Sequence, residues 1–252
     1  MVIPSNVRNI SGEQNKISNF RTYLPKPVTL DKSRWRVALV QIDFPFSWNN
    51  VSGEVAKIAL KSDGFRTFAH LKSMYYSEPK DLVKGINDLL KLYRMKSRLT
   101  ELPGNLCKFT ITPHEKVTLH PTLSGILGFK DSTFIYTVQP RQEDDEMPDS
   151  EFFGEHLMDT RASFYNMYVY SDLVSETLVG DAYVPLLQTV PIQSHLAGEL
   201  VHHEYIHPQY MKLQTGSISS IQIQLCDESG NLVRFDKGHV IVKLHFKQYG
   251  KN

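Results

Sequence analysis

The chain has 252 residues, of which 41% are hydrophobic and 22% charged, and its formal net charge at pH 7 is +1. This length suffices for one large domain with a core that needs no disulfide or metal to hold it. The near-neutral charge, with lysines and arginines spread along the chain, excludes a protein that attracts nucleic acid or an anionic membrane through its overall field.

Residues 1–16 are polar and contain glycine, proline, asparagine and serine, so we predict a flexible N-terminal arm. The arm lacks the apolar centre of a secretory signal peptide. No segment of the chain approaches the run of about 18 apolar residues that indicates a membrane-spanning helix. The remaining residues, 17–252, are predicted to form a single domain.

The first third of that domain is predicted to be mostly strand. Residues 20–24 suit a short strand that the prolines of "PKP" would stop, and residues 34–46 form the first strong strand. The second strand does not alternate perfectly, which predicts either a bulge near Gln41 or burial on both faces. Residues 56–60 and 67–76 are predicted to pair across the turn sequence "KSDG".

One clear helix is predicted at residues 79–93, within an insertion that covers about residues 77–95. Ser77 and Pro79 stand at its start, and apolar residues then follow at helical spacing. Further on, residues 121–129 suit a short helical turn closed by Gly128.

Residues 139–160 are predicted to form a long exposed loop, because the run "QPRQEDDEMPDSEFFGE" is acidic and contains proline. The acidic residues could serve as a docking site for a partner. A solvated loop is the simpler interpretation.

The last third of the chain reads as a succession of strands. Residues 217–226 alternate cleanly, and residues 239–248 place apolar side chains on one face. Pro185 and Pro191 indicate that the strand between them lies at a sheet edge or contains a bulge. Many short strands with one real helix and no βα alternation predict a mainly all-β sandwich or barrel.

Two cysteines, Cys107 and Cys226, lie in strand-like runs where a small apolar side chain packs well. We predict two buried thiols, with a disulfide as the alternative.

The segment "VHHEYIHPQY" contains His203, Glu204 and His207 in a formal match to H-E-x-x-H, the zinc-protease motif. That motif works on a helix, where residues i and i+4 share a face, whereas a strand separates them by about 13 Å. His207 precedes a proline, which disfavours the helical conformation, and no third ligand follows at the metzincin spacing. We therefore predict an extended segment, a chance match and no metal site.

Other catalytic patterns are absent from the sequence. There is no G-x-S-x-G motif, P-loop or dinucleotide-binding fingerprint. Cys226 with a distant histidine could form a nucleophile pair, but it ends an alternating strand, where a packing role is the simpler interpretation. We expect no enzyme activity and no cofactor.

An ordered series of segments carries a resemblance to a known family. In chain order these are "RWRVALVQIDFPFSWNNV", "LSGILGF", "MYVYSDLV", "VGDAYVPLLQTVPI", "IHPQYMKL", "ISSIQIQLCDESGNLVRF" and "GHVIVKLHFK". The series resembles the minor capsid (penton) protein of Polinton, or Maverick, transposable elements over roughly residues 20–247.

The resemblance implies a single jelly-roll β-sandwich of two antiparallel sheets, related to the penton proteins of virophages and adenoviruses. It implies a homopentamer at each vertex of an icosahedral virion, set among capsomers of a double jelly-roll major capsid protein. It assigns no catalytic residues, and it implies no direct contact with nucleic acid and no association with a membrane. The chain would be made in the cytoplasm of a host cell.

Two other functions remain open from the residues. A jelly-roll carbohydrate- or receptor-binding module could grip glycans through the tyrosines of "YNMYVY" or through the loop of residues 46–50. A metal-dependent hydrolase would use His203, Glu204 and His207.

Overall fold

The computed structural model of the chain describes residues 1–7, 15–137, 149–161, 164–193 and 197–250. The strands in chain order are β1 (Val2–Pro4), β2 (Asn19–Thr29), β3 (Trp35–Pro45), β4 (Lys57–Ser62), β5 (Phe65–His70), β6 (Arg98–Leu102), β7 (Leu106–Ile111), β8 (Lys116–Thr118), β9 (Thr133–Ile135), β10 (Ser150–Phe153), β11 (Asn166–Ser171), β12 (Thr177–Val179), β13 (Ala182–Val184), β14 (Leu186–Pro191), β15 (Leu200–Glu204), β16 (Met211–Lys212), β17 (Ser217–Cys226) and β18 (Ile241–Gln248). The α-helices are α1 (Pro79–Leu92) and α2 (Pro121–Ile126), and a 3-10 helix covers Gly53–Ala56. Neither described α-helix is long and apolar enough to cross a membrane.

The chain divides into two compact units. The single domain predicted at 17–252 stays a prediction. Residues 1–48 and 164–252 belong to unit 1, and residues 49–163 belong to unit 2. The helical insertion predicted at 77–95 lies within unit 2. The segment between β3 and β11 carries enough apolar residues to bury a core of its own.

Unit 1 is built on two four-stranded antiparallel arrays. The first has the strand order β1-β18-β3-β15, with the short β16 also paired to β3, and the second has the order β14-β11-β17-β2. The first sheet therefore holds β1, β3, β15 and β18, and the second holds β2, β11, β14 and β17. In chain order, these eight strands belong to the first, second, first, second, second, first, second and first sheet. This is the connectivity of a jelly roll, so the predicted single jelly-roll fold with two antiparallel sheets is confirmed.

The predicted flexible arm at residues 1–16 is wrong for its first residues, which form strand β1. Ile3 is completely buried and pairs with Val242 of β18. The Met1 amino group donates to the carbonyl oxygen of Leu244 at 2.7 Å, and the Leu244 amide returns a bond to Met1 at 2.8 Å. One buried isoleucine in a polar stretch is too little pattern to predict a strand, since the partner strand lies at the other end of the sequence. Residues 8–14 of the arm lie outside the described residues.

The predicted bulge near Gln41 is confirmed in β3. Lys243 pairs with Gln41 and Leu244 pairs with Leu39, so Val40 is the extra residue. A bulge interrupts the two-residue alternation of the strand, which explains its irregular pattern in the sequence.

Prolines mark the edges of the second sheet. Strand β14 is an edge strand with a register shift opposite Val169 and Tyr170, as Pro185 and Pro191 predict. Strand β2 does not stop at "PKP" as expected and instead runs to Thr29. It can do so because β2 is the opposite edge, where a missing N–H need not break a ladder.

Unit 2 contains a three-stranded sheet, β10-β7-β6, and a four-stranded sheet, β5-β4-β8-β9. The rings of Phe109, Phe129, Phe134 and Phe152 form a chain of aromatic contacts in its core, with Phe109 and Phe134 centroids 4.9 Å apart. A buried aromatic cluster of this size supplies the apolar area that a separate unit needs.

The predicted helix at 79–93 is confirmed as α1, and its apolar face is buried through Leu82, Val83, Ile86 and Leu90. The Asn87 amide clamps the helix to β6: its Oδ1 accepts from the Leu99 amide at 2.8 Å and its Nδ2 donates to the Leu99 carbonyl at 2.9 Å. The short helical turn predicted at 121–129 is also confirmed as α2.

The predicted loop at 139–160 is only partly right. Residues 139–148 lie outside the described residues, and Ser150–Phe153 form strand β10, which pairs with β7. The acidic run hides this strand in the sequence because Glu151 contributes to it, held by an ion pair with Lys108 at 2.7 Å.

Candidate functional site

The residues of the H-E-x-x-H match lie on an extended segment, as predicted. His203 belongs to β15 and pairs with Ile42, and Glu204 pairs with Gln41. His207 comes three residues after the strand ends and is exposed. In the described part of the chain, no group of three or more His, Cys, Asp and Glu side chains could hold a metal ion.

The two neighbouring rings of β15 have structural contacts. His202 Nδ1 lies 2.5 Å from Asp43 Oδ1, and Gln41 donates to the other oxygen of Asp43 at 2.9 Å. The His203 ring packs edge-on against Tyr205 at 4.6 Å. Burial, followed by the nearby His202, lowers the pKa of His203, so the ring is biased toward its neutral form.

Tyr205 ties the two sheets of unit 1 together. Its hydroxyl donates to the carbonyl oxygen of Thr189 in β14 at 2.9 Å, although the residue follows β15 in the first sheet. Burial raises the pKa of Tyr205 to about 12, so the phenol keeps the proton that it donates. The tyrosine in the middle of the zinc-like motif therefore has a packing role.

The prediction of two buried thiols is confirmed, because Cys107 and Cys226 are both free and buried. Desolvation raises the pKa of Cys107 to about 12 and also raises the pKa of Cys226. A raised thiol pKa suppresses the thiolate, which is the nucleophilic form. Cys226 is therefore poorly suited to be half of a nucleophile pair.

The loop at 46–50, considered as a glycan platform, is mostly buried. Phe46 is fully buried, and Trp48 packs against Phe46, Phe164 and Phe235 at centroid distances of 4.3, 5.0 and 5.8 Å. Asn50 uses its side chain to hold backbone in unit 2, since its Oδ1 accepts from the Tyr76 amide at 2.9 Å. The rings of Phe46 and Trp48 and the Asn50 amide are therefore already engaged within the protein, whereas Asn49 is exposed.

The tyrosines of "YNMYVY" are more exposed to solvent than the aromatic residues of the loop at 46–50. Tyr168 and Tyr170 lie two residues apart on β11 and stack with centroids 6.4 Å apart. Both are half-buried, and the alternate residues Met167 and Val169 fill the core. The pair therefore covers the outer face of the second sheet.

A hairpin formed by β12 and β13 presents apolar side chains to solvent. Leu178 and Tyr183 are directly paired across the two strands, with exposed fractions of 59% and 70%. Gly180, with φ +62°, and Asp181 form its two-residue turn. An exposed aromatic–aliphatic pair contributes little to the core and is typical of a contact surface.

A second exposed surface combines positive charge and aromatic rings on the first sheet. Lys212, Arg36 and Lys247 stand in one row across β16, β3 and β18. The Lys247 ammonium lies 5.4 Å from the ring centroids of both Tyr210 and Tyr249. Cations in direct cross-strand register repel one another, so this row favours an anionic or carbonyl-rich neighbour.

Comparison with known proteins gives likeness at the level of structure. No protein-family model and no curated protein matches the chain. The crystal structure of the mavirus penton protein is similar over 98% of both chains, with 11% identity and a TM-score of 0.49. The Sputnik virophage structure is similar over 91% of this chain and 92% of that chain, with 10% identity and a TM-score of 0.47.

Proposed function

We propose that the chain is a structural capsid protein whose copies assemble into pentameric capsomers at the vertices of an icosahedral virion. The observation that carries the proposal is the strand order of unit 1, a single jelly roll, in a chain whose ordered segments resemble Polinton pentons. A fold by itself hosts many functions, so the proposal depends on the fold and the sequence resemblance together.

A closed ring of five requires a heterologous contact, in which two different surfaces of each copy meet. The prolines at the edges of the second sheet disfavour ring formation by strand addition there. Side chains on faces and loops must then supply the contact. We assign the β12–β13 hairpin, with Leu178 and Tyr183, as one of the two surfaces, because the pair is apolar, exposed and held by its own ladder.

The partners of the ring would be further copies of the chain and the double jelly-roll major capsid protein that surrounds each vertex. The role requires no catalysis, and the geometry of His203, Cys107 and Cys226 supports a passive building block. The positive row of Lys212, Arg36 and Lys247 is a further surface through which such a block could meet its neighbours.

The test is the mass of the native assembly, measured by native mass spectrometry or sedimentation at several protein concentrations. We expect a species of about five times the 28.9 kDa mass of one chain. Addition of the major capsid protein should increase its population if the ring is weak alone. A chain that stays monomeric at high concentration with that partner present contradicts the proposal.

A further inference from the structure

The outer face of the four-stranded sheet of unit 2 carries a row of three positive charges. Arg66 of β5 pairs with Lys61 of β4, and Lys61 pairs with Lys116 of β8. Residues that are directly paired in an antiparallel sheet point to the same face, and neighbouring strands lie about 4.8 Å apart. Three cationic side chains thus rise from the sheet within about 10 Å of one another.

The row stands at the rim of a concave site. A cavity of about 270 Å³ is lined by Ala59, Leu60, Lys61, Arg66, Lys116 and Thr118. It exists because Ala59 offers only a methyl group between two larger cross-strand neighbours, Phe68 and Thr118. The cavity is slightly smaller than the roughly 300–1,000 Å³ of most small-molecule sites, so it suits a group no larger than a substituted monosaccharide.

In the described residues, Lys61, Arg66 and Lys116 form no ion pair. No carboxylate lines the cavity, and none lies within 4.0 Å of Lys61, Arg66 or Lys116 in the described ranges. Three acidic residues close to these strands have other partners. Glu54 lies 3.3 Å from Lys57, and Asp63 lies 3.7 Å from His114. Glu115 accepts from the amides of Lys96 and Ser97 at 2.9 Å each.

Like charges that face one another across a sheet destabilise it, so this row costs free energy in the empty protein. An anion placed between the three cations removes the repulsion and gains charge-assisted hydrogen bonds. Arg66 supplies a planar fork that suits a tetrahedral oxyanion, and the two ammonium groups can donate from the other sides. Thr118 adds a hydroxyl, which already accepts from the Thr133 hydroxyl at 3.4 Å.

We infer that this cavity is a binding site for a tetrahedral oxyanion ester, a sulfate or phosphate group carried on a small sugar. The site lies in unit 2 and uses none of the surfaces assigned to ring assembly. It is therefore a ligand site in addition to the structural role. Whether the site binds a ligand does not depend on whether the chain forms a pentamer.

The experiment is calorimetric titration of the full chain with three probes at low and physiological salt. A heparin-derived disaccharide bearing sulfate esters and glucose 6-phosphate distinguish the two sources of the oxyanion, and the unsulfated disaccharide is the matched control. We expect saturable binding of at least one ester and about a tenfold preference over the unsulfated sugar. Salt should weaken the binding, because Lys61 and Arg66 are exposed.

Three variants locate the site. Lys61→Gln with Arg66→Gln should weaken binding by about tenfold or more and leave thermal stability unchanged or higher, because it removes the repulsion. Ala59→Leu should weaken binding to a similar degree by filling the cavity while every charge remains. Lys72→Gln, which removes an exposed lysine outside the site, should change the affinity by less than about twofold.

Two results would overturn the inference. One is no saturable binding of either ester. The other is binding that Ala59→Leu leaves intact, since general attraction to positive charge needs no cavity. In either case a five-copy ring, measured on the same preparations, would still support the proposed capsid role.

Discussion

Gly128 lies so close to the backbone of His156 that a Cβ atom added to the glycine would stand 2.0 Å from the His156 carbonyl oxygen. The two residues are also bonded, because the His156 amide donates to the Gly128 carbonyl at 3.0 Å. Gly128 has φ +83°, which disfavours any side chain. The contact therefore joins the end of α2 to the chain that follows β10 only if residue 128 is glycine.

Gly128→Ala should reduce the free energy of unfolding by about 3–5 kcal/mol, because a backbone clash adds to the cost of the positive φ. Gly125→Ala is the matched control. It lies in α2 with open space around the new methyl group and should be neutral or slightly stabilising. Urea unfolding of both variants measures the difference, and equal stability of the two would refute this account of Gly128.

Glu115 organises a buried turn of unit 2. Its two carboxylate oxygens accept from the amides of Lys96 and Ser97 at 2.9 Å each, and its Oε2 also accepts from the Ser97 hydroxyl at 2.5 Å. Glu115→Gln would turn an NH2 group toward these donors, leaving at least one buried amide without an acceptor. We expect a loss of about 2–3 kcal/mol in denaturant titration.

Glu101→Gln changes an exposed carboxylate in the same unit and is the control for Glu115. It should shift stability by less than about 0.5 kcal/mol. A Glu115 variant as stable as this control would show that the network contributes nothing.

His203 should make the stability of the fold decrease as the pH falls. Burial and His202 hold the pKa of His203 below its ordinary value of about 6.5, so below that pH the unfolded chain takes up more protons at this position. The stabilising contribution of the neutral ring is present above about pH 6.5 and is lost as the pH falls below it. His203→Gln should therefore show a smaller drop in Tm between about pH 7.5 and pH 5.5 than the wild type.

For the acid response, His207→Gln is the comparison, because His207 lies outside β15. It should follow the wild-type profile. If the His203 and His207 variants lose the same amount of Tm on acidification, the assignment to His203 is wrong.

The thiols of Cys107 and Cys226 should be unreactive in the folded protein. The raised pKa of Cys107, about 12, and the burial of both side chains predict that neither reacts readily with a thiol reagent near neutral pH. Unfolding in guanidinium should release two reactive thiols per chain. Rapid labelling of a native thiol at neutral pH would contradict the burial described here.

The β12–β13 hairpin is expected to contribute to assembly and little to the stability of the fold. Leu178→Ser with Tyr183→Ser should shift the population from the ring toward the monomer, with Tm changed by only a few degrees, because both side chains are exposed. Leu92→Ser removes a leucine at the end of α1 that is more exposed than Leu178, and it should leave assembly unchanged. If the double variant assembles like the wild type, the hairpin is not part of the interface.

The sequence predicted those elements whose pattern is local. Helix α1 has an apolar stripe and a proline at its first turn, and β17 alternates over ten residues, so both were accessible without a structure. The bulge of β3 and the edge position of β14 were also accessible, because each leaves a break in alternation or a pair of prolines.

The sequence could not predict features that depend on distant partners. Strand β1 is three residues long and is fixed by β18, more than 230 residues later. The core of unit 2 is built from residues of several segments, so no single segment displays it. The row of Arg66, Lys61 and Lys116 depends on strand register, so its three members look like scattered surface charges in the sequence.

Electron microscopy of the purified chain, alone and mixed with a double jelly-roll major capsid protein, most directly tests whether copies of the chain form pentameric vertex capsomers. Averaged images should show rings with fivefold symmetry, and particles formed with the partner should carry this chain at their fivefold vertices. Single copies only, or closed rings of another order under both conditions, would contradict the account.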